Sequence, residues 1–195
     1  MEPVAGDLVL LGVSKSLKNL IRSQIPELRP ENRVVFNSPG EMEPASHPQL
    51  SLFLYQIMED PYLKNQPGPL VQSSPDGPFE QWVPPMVFSL NYMMVPFAQN
   101  PETELLMADQ LKRLFYNRSV LQGDLLMAPL RETGNTHISI VPNDLPIETI
   151  HNIWMGFPQK PYRLSLFYKL VPTRVPSGLK QTVTMVGEVQ SPQEP

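Results

Sequence analysis

The sequence predicts an α/β domain whose central sheet is covered on both sides. Two stretches, Gln49–Glu59 and residues 86–95, are apolar on both faces, which is typical of strands in the interior of a sheet. One apolar face of the first stretch is formed by Phe53, Tyr55 and Ile57. The second stretch lies between prolines and is followed by a helical pattern at 101–118, with Asn100 as the cap and acidic residues in the first turn. The apolar face expected for this helix consists of Leu105, Ala108, Leu111 and Phe115, which recur at helical spacing. This strand–turn–helix unit is the centre of the predicted fold.

The other elements follow from periodicity and proline boundaries. Residues 7–25 predict a first helix that Pro26 ends, and Lys15, Lys18 and Arg22 form a basic stripe along it. That stripe either faces solvent or meets an acidic partner, and we favour the solvated face. Further expected elements are short strands at 33–36 and 136–141, a helix at 146–155 and a third long strand at 161–171.

Two regions are expected to lie outside the regular core. Residues 61–82 are rich in proline, glycine and polar residues without periodicity, which predicts a long mobile loop. A proline-rich hinge at 172–178 separates the domain, residues 1–176, from a C-terminal segment, 177–195. Residues 180–189 form strands readily, either as an edge strand of this chain or as an arm that adds to a neighbour's sheet. The candidate interface residues are Lys180, Thr182, Val183, Thr184, Met185 and Val186.

Composition limits the classes of function. The net charge of −4 without a basic run argues against nucleic acid as the main partner. Cys is absent, which excludes disulfides and thiolate chemistry. We see neither a secretory signal nor a stretch of roughly 20 apolar residues that would cross a bilayer. We therefore expect a cytoplasmic protein without membrane insertion.

The residues that usually carry chemistry are scattered. His47, His137 and His151 have no partner at metal-ligand spacing. Ser89 and Ser165 lie within strand patterns instead of on a nucleophile elbow. The glycines match neither a dinucleotide fingerprint nor a phosphate-binding loop. We predict no catalytic residue, no metal, no cofactor and no enzymatic activity.

Several segments together resemble the cap, or tail-terminator, proteins of contractile injection systems, the phage-tail-like particles of the antifeeding-prophage and virulence-cassette type. The resemblance rests on the first helix, Leu-Ser-Leu-Phe-Leu-Tyr-Gln-Ile at 50–57, and Pro-Pro-Met-Val-Phe-Ser-Leu-Asn-Tyr-Met-Met at 84–94. It continues through the helix at 104–120, Ile153-Trp154, Tyr-Arg-Leu-Ser-Leu-Phe-Tyr-Lys-Leu at 162–170 and Pro-Thr-Arg-Val-Pro-Ser at 172–177. Each motif alone is weak, and the order and spacing over residues 8–177 make the match specific.

The resemblance implies a phage tail-terminator-like fold, a mixed, largely antiparallel central sheet flanked by helices, with a C-terminal extended arm. It implies a structural subunit that closes the distal end of tube and sheath as a hexameric ring, with sheath and inner-tube proteins as partners. Residues 61–82 and the chain after Ser177 depart from the family. Two alternatives stay open: a stand-alone peptide- or protein-binding module that uses the loop and the C-terminal strand, and an enzyme with an unfamiliar site.

Overall fold

The fold was analysed in a computed structural model that describes residues 8–43, 46–62, 70–72, 79–177 and 180–183. The α-helices of this part are α1 (Val9–Gln24), α2 (Pro101–Asn117), α3 (Ala128–Glu132) and α4 (Ile147–Met155). The strands are β1 (Val34–Val35), β2 (Gln49–Glu59), β3 (Leu70–Gln72), β4 (Phe79–Trp82), β5 (Met86–Phe97), β6 (Val120–Gln122), β7 (His137–Pro142), β8 (Leu166–Val175) and β9 (Lys180–Val183).

A six-stranded sheet forms the centre of the domain, in the order β1-β2-β5-β8-β7-β6. The β1–β2 pair is parallel and all other pairs of this sheet are antiparallel. The predicted mixed, largely antiparallel sheet is therefore confirmed. A smaller antiparallel sheet has the order β3-β4-β9.

The larger of two cores lies between one face of the six-stranded sheet and α1, α2 and α3. Alternate residues of β5 point into it, and Leu17 of α1 and Leu111 of α2 are fully buried there. Alternation along a strand sends every second side chain to one face, so the apolar run of β5 fills this core with only half its residues. Those residues are Leu90, Tyr92 and Met94.

The second, smaller core lies on the opposite face under α4. The other residues of β5 fill it, together with Trp154 of α4 and Phe167 of β8. Trp154 stacks edge-on against Phe157, with ring centroids 5.6 Å apart. Because β5 contributes to both cores, the prediction of a central strand buried on both faces is confirmed. Its contributions here are Met93, Val95 and Phe97.

Two local expectations differ from the structure. Leu105 was expected on the buried face of α2 and is 61% exposed, because Met107, Leu111 and Leu114 face the sheet instead. Ile57 was expected on a covered face of β2 and is 45% exposed, since this strand has an irregularity in register between Leu54 and Gln56 and its far end is exposed.

The boundaries of two predicted segments also change. The third long strand begins at Leu166 and continues to Val175, so residues 172–175 of the predicted hinge are strand. Within 61–82, predicted as a loop, the structure describes β3 and β4, which pair with each other. The expectation that this region is mobile stays a prediction.

Candidate interaction surfaces

The candidate interface residues of the C-terminal segment are partly described. Lys180, Thr182 and Val183 belong to β9, which pairs antiparallel with β4 of the same chain, with Val183 opposite Phe79 and Thr182 opposite Glu80. Thr184, Met185 and Val186 lie outside the described residues. The pairing corresponds to the edge-strand alternative for residues 180–183, and a role of this segment at a subunit interface stays a prediction.

The backbone of β9 leaves room for a further strand. In the order β3-β4-β9, this strand lies at the end of the small sheet, and among the described residues no strand pairs with its outer edge. An open edge offers a row of backbone donors and acceptors to another chain. Folding back onto β4 therefore does not prevent β9 from receiving a strand of a neighbour.

A cleft of about 260 Å³ lies beside the C-terminal end of α4. Two cations line it, and each already has a partner. Lys160 Nζ is 2.9 Å from Glu43 Oε1 and donates to the Met42 carbonyl, while Arg163 Nη1 is 2.7 Å from Glu104 Oε1. Lys160 thus connects to the loop at residues 42–43, and Arg163 connects to α2. The charged groups of this cleft therefore stabilise the packing around the smaller core.

The three histidines stay apart in the structure. His47 precedes β2, His137 begins β7 and His151 lies on α4, and all three are exposed. Across the described ranges, no group of three His, Asp or Glu side chains is arranged to hold a metal ion. Ser165 accepts a hydrogen bond from Trp154 Nε1 and donates one to the Arg163 carbonyl, so its hydroxyl is used in packing.

A buried polar contact fixes α1 to the sheet. The hydroxyl oxygens of Ser14 and Tyr92 are 2.8 Å apart, and Ser14 donates its own proton to the Leu10 carbonyl. Tyr92 is fully buried, and this burial raises the pKa of its phenol to about 12. Neither residue was singled out from the sequence, because the contact joins positions 78 residues apart.

The outer surface of α1 carries the basic stripe expected from the sequence. Lys15 is exposed, and Lys18 and Arg22 are partly exposed on the same side. Lys18 Nζ lies 5.5 Å from the centroid of the Phe36 ring. Burial and repulsion by Arg22 and Lys15 lower the pKa of Lys18, although Glu31 opposes the shift. The structure therefore places the three cations close together.

None of the helices in the described part of the chain is long and apolar enough to span a membrane. The exposed apolar side chains of the described residues are distributed over several helices and strand ends. On α2 and α4 they are Leu105, Leu106, Tyr116, Ile147 and Met155.

Two solved structures have folds similar to that of this chain. The chain is similar to a solved structure described as the sheath/tube terminator of PVC, an extracellular contractile injection system, in its extended state, with a TM-score of 0.65, 21% identity and 95% of the chain covered. It is also similar to the tube-terminating cap of the anti-feeding prophage, with a TM-score of 0.60, 20% identity and 94% coverage. The aligned part spans 63% and 61% of those chains, so the present chain corresponds to about three fifths of each.

The chain belongs to the family described as the Pvc16 N-terminal domain, whose model matches residues 12–188. The family resemblance expected from the sequence is thereby confirmed. No curated protein matches the chain. The match includes α1 from Gly12 onward, β9 and all core residues except Val9, so the basic stripe, the cleft and the edge of β9 lie within the family domain.

Proposed function

We propose that this chain is a structural cap subunit that closes the distal end of the tube and sheath of a contractile injection particle. One observation carries the proposal: nearly the whole chain has the fold of a sheath/tube terminator and of a tube-terminating cap, and it belongs to the corresponding family. The similarity to the sheath/tube terminator covers 95% of the chain, so it includes nearly the whole domain.

The described side chains support a structural role. The two cations that line the cleft beside α4, Lys160 and Arg163, each form an ion pair with a carboxylate and so join elements of the domain. The hydroxyl of Ser165 and the indole of Trp154 satisfy each other. A subunit of this kind needs rigid surfaces for neighbours, which a sheet covered on both faces supplies. We therefore propose a non-enzymatic function.

The proposed assembly is a closed ring, hexameric as the family resemblance implies, with the sheath and inner-tube proteins of the same particle as partners. We propose that the subunit is made in the cytoplasm and joins the particle there. The free edge of β9, with Lys180, Thr182 and Val183, is the proposed point of strand addition between subunits. The alternative of a stand-alone binding module has no support from the comparisons.

The test is deletion of the gene in its native host, with electron microscopy of sheathed particles. We expect tails of uncontrolled length, or a loss of stable sheathed tails, and recovery when the full chain is supplied. A chain without residues 180–195 is expected to fold but to restore capped particles poorly, because the described side chains that form the two cores all lie before residue 176. Normal capped particles in the deletion strain would contradict the proposal.

A further inference from the structure

The outer surface of α1 has the charge pattern of a contact surface. The helix contains no Asp or Glu, and its outward row consists of Leu11, Lys15, Lys18 and Arg22, spaced three or four residues apart. Residues at this spacing are neighbours on a helix surface. Leu11 is 42% exposed, although it is a large apolar side chain at the start of the row.

A carboxylate compensates the cations of this row only in part, since Glu31 acts on Lys18 without forming a salt bridge with it. Among the described residues, no salt bridge involves Lys15, Lys18 or Arg22. Lys18 lies over the Phe36 ring, and Arg22 Nε donates to the Arg29 carbonyl. Like charges three or four residues apart repel each other on a helix. The row therefore destabilises the isolated subunit and would become favourable when acidic groups cover it.

A shallow apolar cleft continues the row beyond Lys15. Leu8 and Leu11 of the α1 end form one side of the cleft, and Met127 and Pro129 form the other. Gly12 lies at its base, where a Cβ would approach the side chain of Leu130 to 3.0 Å. A complementary surface needs an aliphatic side chain for this cleft and carboxylates for the neighbouring cations.

The start of α4 has this composition. Ile147 is 61% exposed, and the side chains of Asp144 and Glu148 next to it are exposed as well. In the part of the chain that the structure describes, neither carboxylate takes part in a salt bridge. α1 covers one face of the six-stranded sheet and α4 covers the other. One subunit thus carries a basic–apolar surface on one face and an acidic–apolar surface on the opposite face.

We propose that the outer row of α1 binds the start of α4 of a second copy of this chain. Contact between two different patches is head-to-tail, and such contacts build rings when the rotation between subunits closes. The inference rests on the proposed function and deepens it, because it assigns the two surfaces that would join neighbours in the cap. Nucleic acid is a poorer occupant, since the net charge of −4 opposes a polyanion.

The experiment is sedimentation velocity on the full chain at low and high salt. We expect the wild type to associate at low salt and to dissociate as salt rises, because exposed charges are screened. Lys15→Glu with Lys18→Glu should weaken association by about tenfold or more, since like charges would then face each other. Arg113→Glu with Arg118→Glu makes the same change in charge at the C-terminal end of α2 and is the matched control, with association expected to stay close to wild type.

Reversal of the partner surface completes the test. Asp144→Lys with Glu148→Lys should also weaken association, and a variant with all four substitutions should recover it because the charges are opposite again. Circular dichroism checks that each variant is folded. If the Lys15→Glu, Lys18→Glu variant associated as strongly as the wild type, this inference would be overturned. The proposed cap function would not be affected by that result, because the deletion strain tests it separately.

Two other results would also count against the inference. A wild-type chain that stays monomeric at every concentration would overturn it, while a capping defect in the deletion strain would still support the proposed function. Loss of binding to a DNA duplex in Lys15→Glu with Lys18→Glu, with association unchanged, would assign the row to nucleic acid instead.

Discussion

The two long helices pack against the same face of the sheet but differ in how their ends and outer surfaces are stabilised. In α2, the Asn100 side chain accepts a hydrogen bond from the Glu102 amide at 2.8 Å, and Arg113 pairs with Asp109 at 3.0 Å one turn away. In α1, Leu8 occupies the N-cap without a side-chain hydrogen bond, and no acidic residue occurs along the helix. A side-chain N-cap and an intrahelical ion pair thus stabilise α2, and α1 has neither among the described residues.

Tertiary contacts compensate in α1. Ser16 Oγ accepts a hydrogen bond from the Met127 amide at 3.0 Å, and Ser14 Oγ lies 2.8 Å from the Tyr92 hydroxyl oxygen. Capping groups and opposite charges typically contribute a few tenths to about 2 kcal/mol each to a helix. A helix without such capping groups and ion pairs depends on its buried side chains for stability. The residues on its outer surface are then not needed for the stability of the helix and are available for contacts with a partner.

The largest effect is expected where the two helices are alike, on their buried faces. Leu111→Asp places an unpaired carboxylate between α2 and the sheet, where Leu111 is fully buried. We expect the free energy of unfolding to fall by at least about 3 kcal/mol, a large fraction of the roughly 5–15 kcal/mol that is usual for a domain, and larger losses would unfold it. Leu17→Asp on α1 should do the same, because Leu17 is equally buried. Thermal melts of the soluble fraction measure both.

Leu105→Asp is the control for this prediction. It makes the same chemical change six residues earlier on α2, at a side chain that is 61% exposed. Its melting temperature should stay close to that of the wild type, since surface substitutions usually change stability by less than about 0.5 kcal/mol. Equal losses from Leu105→Asp and Leu111→Asp would mean that the buried face of α2 is assigned incorrectly.

An intermediate effect is expected at high pH, where the anchor of α1 ionises. The pKa of Tyr92 rises from 10.0 to about 12 on folding, so above pH 10 the unfolded chain loses this proton first. Stability linked to Tyr92 is therefore complete below pH 10 and is lost as pH rises towards 12. One pKa unit corresponds to about 1.36 kcal/mol, so the total is about 2–3 kcal/mol. Urea unfolding of the wild type and Tyr92→Phe across this range measures the difference.

The matched tyrosine for α2 is Tyr168. Its ring packs against Phe115 of α2 with centroids 4.7 Å apart, and no hydrogen bond of its hydroxyl occurs among the described residues. At neutral pH, Tyr92→Phe should cost about 1 kcal/mol through the lost hydrogen bond, and Tyr168→Phe only a few tenths. Equal losses of stability in Tyr92→Phe and Tyr168→Phe would contradict the idea that Tyr92 contacts α1 through its hydroxyl while Tyr168 contacts α2 through its ring.

Patterns among residues that lie close together in the sequence predicted most of the fold. The run at 86–95 needs only the alternation of apolar residues to indicate burial on both faces, and both cores contain its side chains. Leu105 was misassigned because Leu105, Leu106 and Met107 are consecutive apolar residues, and periodicity alone does not decide which of them faces the sheet. The strands at 70–72 and 79–82 were missed because each has at most four residues and is defined by its pairing partner.

The surfaces were harder to predict than the fold. The basic stripe is visible as Lys15, Lys18 and Arg22 in the sequence, but only the structure shows that no carboxylate of the described residues forms a salt bridge with them. The match between this stripe and the start of α4 depends on their lying on opposite sheet faces, which a linear pattern does not contain. The interface residues of the C-terminal segment stay a prediction, because their partners would come from another chain.

The smallest expected effect gives the sharpest contrast between the helices, because its sign differs. Lys15→Glu replaces a repulsive contact by an ion pair between the new carboxylate and Lys18, in the favourable order along the helix, so the isolated subunit should gain about 0.2–0.5 kcal/mol. Arg113→Glu loses the pair with Asp109 and adds a negative charge near the C-terminal end of α2, so it should lose a similar amount or more. Urea unfolding at low salt and low protein concentration measures both, with Lys15→Gln and Arg113→Gln as neutral controls. A loss of stability in Lys15→Glu would mean that the cations of α1 already have favourable surroundings within the subunit. A gain would mean that Lys15 destabilises the isolated subunit, as expected for a residue that serves contact with another chain.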